Sequence, residues 1–209
     1  IRGVVLCIGS DYAALQVEGT RITAQTGVLL SALSNEAQRA GLSGLEFAGG
    51  IPGSLGGALF MNAGAYDGQT ADVVVSSRYY DAQTGKIGTL IGTDHAFGYR
   101  ASTYKSHPDW IALSAEMQLV EGDTAAIRAK MDDFAARRRD KQPLNYPSAG
   151  STFKRPEGYF AGKLIQDAGL MGYTVGGAQV SEKHAGFVIN RGGATCADVL
   201  ALIDHVREE

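Results

Sequence analysis

Glycine placement is the feature that most restricts what this chain can fold into. Of the 209 residues, 28 are glycine, about twice the share found in an average domain. They gather in Gly41 to Gly68, at Gly150 and Gly162, and in Gly169 to Gly193. No three-residue period accompanies them, which excludes a collagen-like rod. Because the clusters fall between periodic segments, they read as sites of special backbone dihedrals and close approach, or as the turns of a strand-rich protein. An apolar share of 44% can fill the core of one full domain or two modest ones and excludes a knottin or a disordered tail.

Charge and cysteine usage remove further classes. The formal net charge of −3 gives no electrostatic footing on a phosphate backbone, so nucleic acid is not an expected partner. Cys7 and Cys196 are far apart, which suggests neither a disulfide framework nor a thiolate metal site and fits a reducing compartment. His95, His107, His184 and His205 lack metal-ligand spacing, so no metal is expected. No run approaches the roughly 18 apolar residues that cross a bilayer, and the first residues do not form a secretion signal. A cytoplasmic chain with no membrane partner is expected.

The apolar run Val4 to Ile8 suits a buried strand and implies a domain begun upstream. Ala13 to Val17 and Arg21 to Gln25 are the next strands, antiparallel about the Glu18-Gly19-Thr20 turn. Leu29, Leu30, Leu33 and Ala37 recur at helical spacing, with Gly41 as terminator. Ser43 to Tyr66 is glycine-rich, apolar and aperiodic, so it reads as a long binding loop. Val73 to Tyr80, Lys86 to Ile91 and Trp110 to Val120 read as strands. After Gly122-Asp123, Ile127, Met131, Phe134 and Ala135 share one helical face, and a domain boundary is placed there, giving domains 1–122 and 123–209. Arg137, Arg138, Arg139 and Lys141 favour the C-terminal dipole of that helix before Pro143. A short helix over Ala161 to Ala168 and a strand over Phe187 to Asn190 follow, and Thr195 with Asp198 has capping-box spacing ahead of a last helix. The fold class is α+β.

Within the aperiodic segment, Gly49-Gly50-Ile51-Pro52-Gly53-Ser54-Leu55-Gly56-Gly57 can turn successive backbone N–H groups toward an anion, or can be a structural glycine loop. It lacks both the Lys-Ser/Thr ending of a nucleotide P-loop and the dinucleotide fingerprint spacing. Asn62 can orient a loop or bond a ring edge. Arg100, in Tyr99-Arg100-Ala101-Ser102, is either a surface cation or a fixed one able to hold a carboxylate and stabilise charge developing beside it. Ser151 sits in Pro147-Ser148-Ala149-Gly150-Ser151-Thr152-Phe153-Lys154, outside any nucleophile-elbow pattern. It can cap a turn, or give a proton to a carbanion if a neighbour such as Lys154 polarises it. His184 reads as structural or as facing a polar ligand, and His205 has no evident partner.

Taken together, Gly41 to Ala58 and Met61-Asn62-Ala63-Gly64-Ala65-Tyr66 closely resemble the UDP-N-acetylenolpyruvoylglucosamine reductase (MurB) family. The stretches Tyr99 to Ser102, Pro147 to Lys154, Gly176-Gly177-Ala178 and Ala185 to Asn190 resemble it in the same order. The resemblance implies a bacterial cytoplasmic flavoenzyme of peptidoglycan synthesis: a partial FAD-binding domain of the vanillyl-alcohol-oxidase type, then a smaller substrate domain. It implies that NADPH reduces FAD and that hydride then passes to an enolpyruvyl UDP-sugar, giving UDP-N-acetylmuramate. By position, Arg100 resembles the arginine that stabilises the enolic intermediate, and Ser151 the serine that protonates C2. Ile51, Gly53, Ser54, Gly56, Gly57 and Asn62 resemble the flavin-binding stretch. Tyr99, Lys141, Lys154, Arg155 and His184 resemble substrate-contacting positions, with Arg155 where the family commonly has Asn.

Two departures accompany these matches. The family's upstream flavin-binding part and its catalytic glutamate have no counterpart in these residues, so truncation at both ends and weak or absent activity of the fragment are expected. The Arg100 to Ser151 spacing holds no long insertion and resembles the shorter class without the tyrosine loop. Another flavin oxidoreductase of the same fold and a non-catalytic nucleotide-binding module are the alternatives. Oligomeric state is unassigned.

Overall fold

The computed structural model describes residues 4–209, which divide into two compact units, one ending at Ala135 and one running from Ala136 to Glu209. In the first unit, β1 (Leu15–Glu18) and β2 (Arg21–Gln25) form an antiparallel hairpin. Gly19, at φ +57°, makes its turn. β2 alternates exposed Arg21 and Thr23 with buried Ile22 and Ala24, the period of two that a half-buried strand requires. α1 (Leu30–Arg39) buries Leu30, Leu33, Ser34 and Ala37, and Gly41 at φ +70° ends it. β3 (Leu42–Ser43), α2 (Leu55–Met61) and the small hairpin of β4 (Gly64–Ala65) with β5 (Gly68–Gln69) follow.

The chain then builds β6 (Val74–Asp81), β7 (Lys86–Ile91), the single turn α3 (Thr103–Ser106), β8 (Trp110–Gln118) and β9 (Val120–Glu121). A five-stranded antiparallel sheet results, in the order β1-β2-β8-β6-β7, while β9 pairs with β3. One core joins Ile22, Ala24, Ala115 and Met117 of the sheet to Leu33, Leu55 and Leu59 of the helices.

α4 (Thr124–Lys141) starts where Asp123 Oδ1 accepts the Ala126 N–H at 2.7 Å. Its apolar face is the one the spacing predicts. Ile127 is buried, Met131 Sδ meets Ser34 Oγ at 3.8 Å, and Phe134 stacks on Tyr66 with centroids 4.5 Å apart. This packing carries the first unit past Gly122 to Ala135.

The second unit comprises β10 (Ser148–Ser151), α5 (Ala161–Asp167), β11 (Thr174–Val175), β12 (Ala178–Val180), β13 (Phe187–Asn190) and α6 (Cys196–Glu208). Its antiparallel sheet runs β10-β13-β12-β11. Ile165, Leu170, Val180, Val188 and Leu202 lie in its core. Thr195 and Asp198 close the capping box that their spacing predicts, Oγ1 accepting the Asp198 N–H at 3.1 Å and Oδ2 the Thr195 N–H at 2.9 Å. Hydrogen bonds from the Thr195 and Gly177 backbone N–H groups lower the Asp198 pKa.

Three sequence expectations are corrected. Val4 to Ile8 is not a strand, and its apolar side chains are exposed, Val4 at 91%; no described strand pairs with it. Ser43 to Tyr66 is not one long loop, because a 3₁₀ turn at Glu46–Ala48, α2 and β4 organise it. His205 has a partner after all, stacking on Tyr173 at 4.1 Å. Among the described residues no helix is long and apolar enough to cross a membrane.

Candidate active site

The glycine segment folds back on the link between β2 and α1. Gly53 O accepts the Leu30 N–H at 3.0 Å, while the N–H groups of Leu55 and Gly56 reach Val28 O at 2.8 Å and Thr26 O at 2.9 Å. The N–H groups of Leu55 and Gly56, at the start of α2, are thus taken up within the protein. Gly56 is a packing glycine, since a Cβ there would lie 3.2 Å from Thr26 Cβ. Gly53 and Gly57 differ: an added Cβ would meet nothing within 4 Å, and Gly53 has φ +152°. Ser54 precedes α2 without making a cap bond, and Ile51 rests half-buried on the core. Open backbone at Gly53 and Gly57 beside a hydroxyl and an apolar side chain fits a flat, polar-edged ring system such as flavin.

Glu46 anchors the start of this segment. Its carboxylate accepts from Ser43 Oγ at 2.6 Å and the Gly44 N–H at 2.8 Å, with Lys130 Nζ at 3.7 Å. Burial of the side chain works to raise its pKa, but the Ser43 bond, backbone N–H bonds and Lys130 together hold it below the ordinary glutamate value.

Asn62 closes the other end. It caps α2 in the left-handed region, at φ 42° and ψ 59°, which Asn tolerates better than most residues. Its side chain is enclosed: Nδ2 donates to Gln69 Oε1 at 2.9 Å and Gly98 O at 3.1 Å, and Oδ1 accepts the Ala71 N–H at 2.9 Å. Of the two readings of Asn62, the contacts seen are those of loop orientation.

Gly98 and Ala101 exchange backbone hydrogen bonds of 3.1 and 3.2 Å, making Tyr99-Arg100 the tip of a two-residue turn. Arg100 sits there at φ +54°, a conformation that costs a non-glycine residue about 1–2 kcal/mol. Its Cζ lies 5.9 Å from the exposed Tyr99 ring, and its carbonyl accepts from Lys105 Nζ at 3.2 Å. Elsewhere in the first unit, Ser77 Oγ lies 2.7 Å from both His95 Nε2 and Tyr104 Oη, all three residues being buried. His95 Nδ1 faces Gly92 O at 2.9 Å; a carbonyl only accepts, so Nδ1 bears the hydrogen. In the neutral ring Nε2 then accepts from Ser77, which accepts from Tyr104. Burial pushes the Tyr104 phenol up against the opposing pull of the Ser77 bond.

Ser151, in the second unit, is exposed on the edge strand β10, opposite Phe187 across a register shift. Gly150 beside it has φ +84° and open space at its Cβ position. Next to Ser151, Thr152 donates its N–H to Gly186 O at 2.9 Å, and the Gly186 N–H donates to His184 Nδ1 at 3.1 Å. Nδ1 is therefore the bare nitrogen and Nε2 carries the hydrogen. Lys154 is exposed beyond the strand, Arg155 lies over Phe160 at 4.4 Å, and Lys141 ends α4. Sequence reasoning missed the Ser77, His95 and Tyr104 set, whose members are 18 and 27 residues apart.

Residues 2–91 match a family model described as FAD binding domain, and residues 142–209 match one described as UDP-N-acetylenolpyruvoylglucosamine reductase, C-terminal domain. Fold and matches define a flavoprotein with an FAD-binding domain followed by a reductase C-terminal domain. The chain is 54% identical over 203 residues to the UDP-N-acetylenolpyruvoylglucosamine reductase of Clostridioides difficile, covering 97% of this chain and 66% of that protein. The enzyme of the same name from Clostridium perfringens strain SM101 is 54% identical over 208 residues, covering 100% and 67%. The crystal structure of the Thermus caldophilus reductase (MurB) superposes with a TM-score of 0.79 at 38% identity, covering 88% of this chain and 67% of that one. The chain belongs to the UDP-N-acetylenolpyruvoylglucosamine reductase family and spans about two thirds of the length of these relatives.

Proposed function

We propose that this chain is the greater part of a bacterial, cytoplasmic reductase that converts UDP-N-acetylglucosamine enolpyruvate to UDP-N-acetylmuramate for cell-wall synthesis, using FAD and NADPH. Residues 1–122 serve the flavin and 123–209 the substrate, and the uninterrupted Arg100 to Ser151 spacing supports a member of the shorter class without the tyrosine loop. The observation that carries the reading is the Arg100 turn: a permanent cation held in a strained conformation by buried hydrogen bonds.

FAD, when bound, supplies a hydride, obtained from NADPH, to the C3 methylene of the enolpyruvyl ether. Gly53, Ser54 and Gly57 hold it, with Ile51 beneath and Gly56 keeping α2 close to Thr26. Arg100 stabilises the electron pair that the new C3–H bond pushes onto C2 and its carboxylate. Its backbone is fixed beforehand, so little reorganisation is needed as charge develops. The Ser151 hydroxyl gives C2 its proton. Tyr99, Lys141, Lys154, Arg155 and His184 contact the UDP-sugar, His184 as an Nε2–H donor.

NADPH oxidation by the FAD-loaded protein tests the reading. It should require the enolpyruvyl UDP-sugar and consume one NADPH per substrate. Gly57→Ala should weaken FAD binding in a visible-absorbance titration with no loss of thermal stability, because its Cβ enters open space. NADPH oxidation by the loaded protein at the same rate with and without that substrate would favour another flavin oxidoreductase of this fold.

A further inference from the structure

We propose that Asn62 and Ser102 are positioning residues for Arg100: they fasten the arginine turn to the C-terminal end of α2, the helix that begins at the flavin loop. The inference rests on the charge-stabilising role of Arg100 given above and adds the device that holds it.

Asn62 is 5% exposed and Ser102 4%, and each bonds across the gap between α2 and the turn. Asn62 Nδ2 donates to Gly98 O, at the foot of the turn, and Ser102 Oγ donates to Phe60 O at 2.8 Å, within the last turn of α2. Gly98 and Ala101, the residues that close the turn, are thereby held at both ends of the Tyr99-Arg100 tip. Both Nδ2 hydrogens of Asn62 are engaged, one on Gln69 and one on Gly98, so the side chain has no donor to offer a flavin edge. An Arg at φ +54° needs such external hold, because left to itself the backbone relaxes toward negative φ. The clamp also runs directly from the helix of the cofactor loop to the cation, so that flavin and charge stabiliser are placed by one element.

The test uses the FAD-loaded holoenzyme and resolves its two half-reactions by stopped flow. Asn62→Asp keeps the shape and the Ala71 bond but turns an acceptor toward Gly98 O, and Ser102→Ala removes the hydroxyl. Both should slow flavin reoxidation by the enolpyruvyl substrate about 10- to 100-fold, the range expected of a displaced catalytic group. Flavin reduction by NADPH, the FAD Kd and the substrate KM should stay within about twofold to threefold, and Ser102→Thr should restore the rate. Arg100→Ala is run alongside. If it leaves reoxidation unchanged, the role of Arg100 falls; if it slows reoxidation while Ser102→Ala and Asn62→Asp do not, the clamp is wrong. A loss of FAD affinity in Asn62→Asp with reoxidation unaltered would make Asn62 a flavin contact and overturn the proposal. Should the Asn62 variant fail to fold, Ser102→Ala and hydrogen exchange of the wild-type protein decide. The Ala101 amide must exchange slowly; exchange at the rate of an open loop contradicts the clamp.

Discussion

The Arg100 turn and the Ser151 strand present the same kind of object, one polar side chain beside a backbone kink, in opposite settings. The Arg100 turn is held by buried hydrogen bonds from Asn62 to Gly98 O and from Ser102 to Phe60 O. Ser151 lies on an exposed edge strand, next to a glycine with open space around it. The difference fits the two roles proposed for them. Stabilising charge demands a group fixed before the charge appears, whereas a proton donor must approach one carbon and be restored from solvent. Rigid support is needed at one and access at the other.

The strongest way to break this comparison is at its exposed end. Ser151→Ala should cut steady-state turnover by about 10²- to 10⁴-fold, the usual worth of a positioned general acid, with no change in thermal midpoint. A large fall in stability would mean that Ser151 supports the strand instead. At the buried end the order reverses. Leu59→Ala, which truncates a fully buried side chain of α2, should cost about 2–5 kcal/mol in denaturant unfolding. In the second unit, Thr195→Ala removes one half of the α6 capping box and should cost about 1 kcal/mol.

The smallest effect expected is a pH dependence. Glu46 has its pKa lowered in the folded state, so its contribution to stability is present above the unfolded value, near 4.5, and lost as pH falls through the lower folded value. Unfolding followed from neutral pH into that acid range should show Glu46→Gln less stable than the native protein above the unfolded value. The two should converge below the folded value, and a constant difference at all pH would assign the loss to packing.

Local chemistry was legible in the sequence and distant support was not. The Thr195 and Asp198 spacing sets a helix start within four residues, and β2 shows its buried face by alternation alone. α2 escaped because Leu55-Gly56-Gly57 has poor helix propensity; Val28 O and Thr26 O, which take its first amides, supply the missing stability. Val4 to Ile8 misled because an apolar run reports a need for burial, not the neighbour that provides it. The candidate site divided similarly. Arg100, Ser151 and the glycine loop stand out by motif, but a left-handed dihedral at an arginine and a hydrogen-bond chain from Ser77 to Tyr104 leave no local pattern.

One measurement bears most directly on the account. With the flavin prereduced and the enolpyruvyl UDP-sugar mixed in, reoxidation should be about 10²- to 10³-fold slower in Arg100→Ala than in the native enzyme, while reduction by NADPH is the same in both. Equal reoxidation rates would contradict the assignment of Arg100 as the fixed cation of the reaction.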